Sequence, residues 1–172
     1  MTMKVLYILR HGKSSPARPG GDDRDRPLDG HGRRQVRETG RRLAVRGWRP
    51  ALALVSTAGR TRETFDGLRA GLEAEVPARF EESLYLAPVE TLIEEIGLLD
   101  ADIPSVIVIG HNPGLHELAL HLGGRHEDTK AARLRDFPPC ALARFEIAAA
   151  DWRDLRPAAA RLTDVIYPGD RD

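Results

Sequence analysis

Lys4-Val5-Leu6-Tyr7-Ile8-Leu9-Arg10 is a β-type run that stops abruptly at His11-Gly12-Lys13. Runs of this length bounded by turn residues read as buried strands. Similar runs recur at 51–56, 105–110 and 141–147, and a last strand is expected at 159–165. Between them the spacing changes to that of a helix. Val36, Gly40, Leu43 and Gly47 form one stripe, and Thr61, Phe65, Leu68 and Leu72 a second. Val89, Leu92, Ile93, Ile96 and Leu99 form a third. For the fourth, Asn112 is expected to cap, Pro113 to open the first turn, Leu115, Leu118, Ala119 and Leu122 to face inward, and Gly123 to end the helix. Strands alternating with helices predict a three-layer α/β/α sandwich around a mainly parallel sheet.

The chain has 172 residues, the size of one domain spanning 1–172. Its 26 basic and 26 acidic residues balance, which argues against nucleic-acid binding through a bulk field. The seven Arg between Arg33 and Arg49 fall on the polar face of a helix with few aromatics nearby, and they read as a solvated face. An apolar fraction of 41% and a charged fraction of 30% describe a folding chain. A single cysteine, Cys140, permits neither an internal disulfide nor a zinc cluster, so a cytoplasmic setting is expected. No apolar run approaches the length of a membrane span, so no membrane partner is expected.

Sheets of this kind bind ligands beyond the carboxyl ends of their strands. The first strand runs into Arg10-His11-Gly12, the second into Ser56-Thr57-Ala58-Gly59-Arg60, and the third into Gly110-His111-Asn112-Pro113. Two guanidiniums and two helix N-termini make an anion site suited to phosphate. A neutral imidazole at its centre, His11, can attack phosphorus, and His111 can donate to a phosphoryl oxygen as charge builds there. Lys13 directly follows the nucleophile motif and can tune local charge.

Leu6-Tyr7-Ile8-Leu9-Arg10-His11-Gly12-Lys13-Ser14-Ser15 resembles the opening of the histidine phosphatase superfamily, which is phosphoglycerate mutase-like, and most closely its small SixA-like phosphohistidine phosphatase branch. The resemblance continues through Asp25-Arg26-Pro27-Leu28, Gly32-Arg33-Arg34, Ser56-x-Ala58-x-Arg60-x-x-x-Thr64 and Gly110-His111-Asn112-Pro113-Gly114. It implies His11 as nucleophile, with Arg10, Arg60 and His111 as the phosphate pocket, Gly12 and Lys13 beside it, and neither metal nor cofactor. Lys13 and Ala17 stand where mutase-like relatives carry an acid and an Asn, which favours the small branch.

Only about 50 residues separate Arg60 from His111, which leaves no room for a large cap insertion. An open site suits a phosphorylated protein surface, and an imidazole leaving group needs less help from a general acid than an alkoxide does. Glu82, or its neighbour Glu81, lies in the region where mutase-like relatives place their acid. Three readings therefore stay open: a phosphohistidine phosphatase, a phosphatase of a small phosphomonoester, and a non-catalytic phosphate-binding module. His116-Glu117-x-x-x-His121 imitates a zinc motif, but an interval of five puts the two His about 140° apart on a helix. Asp22, Asp23 and Asp25 interleave with Arg18, Arg24 and Arg26 and read as a self-neutralising loop that borders the pocket. His126 reads as a loop residue without a catalytic part.

Overall fold

A computed structural model describes residues 2–123 and 129–170. His126 lies outside them. Six strands form one sheet: β1 (Met3–Arg10), β2 (Leu52–Ser56), β3 (Ala78–Glu81), β4 (Ser105–Gly110), β5 (Leu142–Ala148) and β6 (Ala160–Ile166). Their order is β3-β2-β4-β1-β5-β6. The first four run parallel, whereas β5 and β6 are antiparallel to their neighbours. Parallel neighbours need a long crossover. Residues 149–159 joining β5 to β6 carry only short 3-10 turns, so that pair turns back on itself.

Helices cover both faces, as the alternation of strands and helices implies. Tyr7, Leu9, Val55 and Ile109 point to one face, where they meet Val36 and Leu43 of α1 (Gly30–Val45) and Phe65, Leu68 and Leu72 of α2 (Gly59–Leu72). Leu6, Ile8, Leu54 and Val108 point to the other, toward Leu92 and Ile96 of α3 (Val89–Gly97) and Leu115, Leu118 and Leu122 of α4 (Gly114–Gly123). Each fully buried aliphatic side chain contributes roughly 1.5–3 kcal/mol. Every residue of β2 and β4 is buried, so their sequences read as unbroken apolar runs rather than alternating ones.

The two helices of the first face cross almost backbone to backbone. A Cβ on Gly40 would stand 2.2 Å from the Leu68 carbonyl, and one on Gly71 would stand 1.9 Å from that of Arg37. Gly40 therefore belongs to the buried stripe. Gly47 does not, contrary to expectation: at φ 67° it follows the end of α1, donating to the Ala44 carbonyl while Trp48 donates to that of Leu43. At the other end of α1, Asp29 accepts from the Gly32 amide at 2.7 Å and caps the helix. Asn112 is a second correction. A cap would accept through Oδ1, which is buried without a hydrogen-bond partner among the described residues; Nδ2 donates to the Phe137 carbonyl at 2.9 Å, tying the segment before β5 to the start of α4. His116, half of the imitation zinc motif, stacks on Phe137 and contacts the Leu134 carbonyl, while His121 is exposed.

No described helix is long and apolar enough to cross a membrane. Between Arg60 and His111 the chain holds the rest of α2, then β3, a 3-10 turn at Glu82–Leu84, α3 and β4, without a large insertion.

Candidate active site

The parallel register of β1 and β4 pairs Arg10 with Gly110. One residue further on, His11 donates its backbone amide to the Gly110 carbonyl at 3.1 Å. Two imidazoles a hundred residues apart in the chain thus stand side by side, with ring centroids 5.4 Å apart. The third strand end, that of β2, supplies Ser56, whose Oγ lies 2.7 Å from His111 Nε2. Arg60 then comes from the first turn of α2.

Each ring has a defined orientation. His11 Nδ1 lies 2.7 Å from the Gly12 carbonyl, which can only accept, so Nδ1 carries the proton and Nε2 keeps its lone pair. The Gly12 amide donates to Thr64 Oγ1 at 3.0 Å, and that hydroxyl donates to the Arg60 carbonyl at 2.6 Å. Gly12, whose carbonyl orients His11, is therefore anchored through its amide on α2, one turn beyond Arg60. A side chain at Gly12 would approach Val36 Cγ1 to 2.8 Å, so the close packing against α1 requires glycine. His111 Nδ1 is buried without a hydrogen-bond partner among the described residues. Ser56 Oγ donating to Nε2 would leave the proton on that Nδ1, free for a ligand.

Arg10, His11, Lys13, Arg60, His111 and Asn112 line one cavity of about 450 Å³. Arg10 donates to the Phe137 carbonyl at 3.0 Å, the same oxygen that receives Asn112. Lys13 is largely exposed at the mouth, with Nζ 3.9 Å from Asp29. Glu82 is not among the lining residues. It is exposed, and Arg24 and Thr57 engage its two carboxylate oxygens.

The sequence indicated that the acidic loop borders the pocket. It did not indicate what Asp23 does there. Arg60 donates through Nη1 to the Asp23 carbonyl at 2.8 Å and through Nη2 to its carboxylate at 3.0 Å. The same carboxylate accepts from Arg26 at 3.0 Å and from the Tyr85 hydroxyl. These donors hold the Asp23 carboxyl well below the usual carboxylate range, with the Tyr85 bond contributing most. The loop also covers the N-terminus of α2: a Cβ on Gly59 would lie 3.2–3.4 Å from the carbonyls of Arg24, Asp25 and Arg26. The start of α2 therefore packs against this loop.

Burial pushes the His11 imidazole down to about 4, with Arg60 and Arg10 adding to the shift and the Gly12 carbonyl opposing it. His111 falls to about 3, again chiefly through burial and then through Arg60. In the unfolded chain both would protonate near 6.5. Between pH 6.5 and about 4 the unfolded state therefore binds more protons than the native state, and stability falls as the pH drops through that window. With two such groups the slope approaches about 2.7 kcal/mol per pH unit. Urea unfolding at pH 7, 6 and 5 measures it, and equal stability at all three would contradict this account.

Two guanidiniums and two neutral imidazoles at the carboxyl ends of parallel strands define an α/β protein built to hold a phosphoryl-like oxyanion. The profile of the histidine phosphatase superfamily (branch 1) matches residues 6–97. An uncharacterized protein of Mycobacterium tuberculosis is 36% identical over 170 residues, covering 93% of this chain and 99% of that protein. One of Mycobacterium leprae is 33% identical over 171 residues, with the same coverage. Among solved structures, a protein of Nakamurella multipartitia designated phosphohistidine phosphatase SixA superposes with a TM-score of 0.84 at 28% identity, over 99% of both chains. An Agrobacterium tumefaciens protein with the same designation gives 0.81 at 29% identity, over 96% of this chain and 98% of that one. The chain belongs to the histidine phosphatase superfamily, in its SixA-like branch, and is a phosphatase of that class.

Proposed function

We propose that this phosphatase hydrolyses phosphohistidine on proteins in the cytoplasm, without a metal, through a phosphohistidine intermediate on His11. The observation that carries the reading is the Nδ1–H bond from His11 to the Gly12 carbonyl, which leaves an uncharged Nε2 beside Arg10, Arg60 and His111. In the first step the Nε2 lone pair bonds to phosphorus and the bond from phosphorus to the substrate nitrogen breaks; the departing imidazole takes up a proton from solvent, and the proton released by the attacking water in the second step returns to solvent. Arg10, Arg60 and the Nδ1–H of His111 donate to the three phosphoryl oxygens, with the charge of Lys13 nearby and the Gly12 peptide holding the nucleophile. Water then attacks phosphorus, the bond to Nε2 breaks, and phosphate leaves with His11 restored. The low pKa keeps His11 nucleophilic throughout the physiological range.

The leaving group favours phosphohistidine. An alkoxide needs a general acid, commonly contributing about 10²–10⁴-fold. The carboxylate expected for that part, Glu82, does not line the cavity and is engaged by Arg24 and Thr57. Imidazole leaves without such strong assistance. Comparing a phosphohistidine peptide with a sugar phosphate in the presence of a chelator tests the reading. The expected result is a kcat/KM at least tenfold higher for the peptide, unaffected by the chelator. Preference for the sugar phosphate would support the small-phosphomonoester reading instead, and phosphate binding without turnover of either would support a binding module.

A further inference from the structure

The catalytic cavity has two unlike parts. Leu86 and Pro139 are its apolar lining residues; every other residue lining it is charged or polar. Leu86 is also unusual in its backbone. Its φ of 49° lies in the left-handed region, where a leucine costs more than glycine or asparagine. It is 52% exposed, so the core gains little from it.

Both neighbours hold it there. Tyr85 donates its hydroxyl to Asp23 and sets its ring edge-on to His111, 5.3 Å between centroids. Ala87 is buried, and its carbonyl packs so closely on α4 that a Cβ at Gly114 would come within 1.9 Å of it. Strain of this kind persists where the surroundings over-determine it, and it collects at ligand sites. Pro139, the other apolar lining residue, precedes Cys140, whose amide donates to the carbonyls of Arg10 and His11.

We infer that Leu86, with Pro139, is a specificity-determining contact for the leaving group, selecting a flat, carbon-rich ring over a hydroxylated or ringless one. The phosphoryl group takes the polar floor, and the ring attached to it covers the leucine. The inference deepens the proposed function and rests on it for the identity of that ring, the imidazole of phosphohistidine. A hydroxyl-rich leaving group would find no hydrogen-bond partner on either side chain, whereas an apolar ring edge gains by leaving water.

Leu86→Gly and Leu86→Asn test it, because both residues tolerate the left-handed backbone. Steady-state kinetics with a phosphohistidine peptide, phenyl phosphate and phosphoramidate supply substrates with and without a ring. For both variants the kcat/KM ratio of peptide to phosphoramidate should fall about five- to tenfold, through KM rather than kcat. The ratio of phenyl phosphate to phosphoramidate should fall in parallel. Leu86→Gly should melt no lower than the parent protein, since it removes the backbone strain; should it fail to fold, Leu86→Asn decides. Ratios unchanged within twofold, or a loss confined to kcat, would overturn the inference. If the parent protein does not hydrolyse the phosphohistidine peptide, the proposed substrate fails, while the phenyl phosphate ratio still decides the part of Leu86.

Discussion

His11→Ala should lose at least about 10³-fold in turnover of a phosphohistidine peptide, because the variant has no atom that can bond to phosphorus. The loss should fall almost wholly on kcat. Arg10, Arg60 and His111 do not depend on the His11 ring for their positions: Arg10 is held by the Phe137 carbonyl, Arg60 by Asp23, and His111 by Ser56. An oxyanion such as phosphate should therefore still bind, with affinity reduced only modestly. Acid-free quenching of the parent protein during turnover, followed by mass spectrometry, should find phosphate on His11 and none on the variant. Turnover in His11→Ala within tenfold of the parent protein, or trapped phosphate on another residue, would remove the assigned nucleophile.

Arg60→Lys should cost about 10²–10³-fold in kcat/KM although the charge is kept. The guanidinium is 4% exposed and uses both terminal nitrogens at once, Nη1 on the Asp23 carbonyl and Nη2 on its carboxylate. An ammonium is a point charge without the fork. Its three N–H groups radiate from one nitrogen and cannot reach both acceptors and a phosphoryl oxygen at once, so the charge would settle against Asp23 and turn away from the substrate. Steady-state kinetics together with a melting curve separates this from misfolding, and a loss below threefold in a folded variant would contradict the geometry.

Much of the site was legible because its parts lie where strands stop. Arg10 and His11 follow one apolar run, His111 another, and a parallel sheet gathers such ends on one edge. Periodicity alone located both helical faces. The misplaced residues share a cause, which is that local rules were asked about long-range contacts. Gly47 has the spacing of a stripe residue, yet its part is to take the left-handed turn after α1. Asn112 has the sequence position of a helix cap, yet its Oδ1 accepts from no described donor while its Nδ2 donates to a carbonyl twenty-five residues later. Asp23 is one of three acids in a mixed-charge loop, and nothing in that loop marks it as the one that reaches Arg60. Glu82 was singled out by position, and nothing local foretold that Arg24 and Thr57 would engage its carboxylate oxygens.

Read alone, the order of residue types was enough to establish an α/β sandwich and to single out four side chains, Arg10, His11, Arg60 and His111, that the fold brings to one cavity. Those are consequences of periodicity and of functional-group chemistry, both carried by neighbours in the chain. Which imidazole nitrogen keeps its lone pair, which guanidinium is clamped and by what, and which leucine stands exposed at the mouth came instead from folding. They follow from the strand register that sets His11 beside Gly110, from a loop laid over the start of α2, and from glycines that let two backbones touch. Such contacts join residues far apart in the chain, and their energies exist only once the sheet and helices have packed.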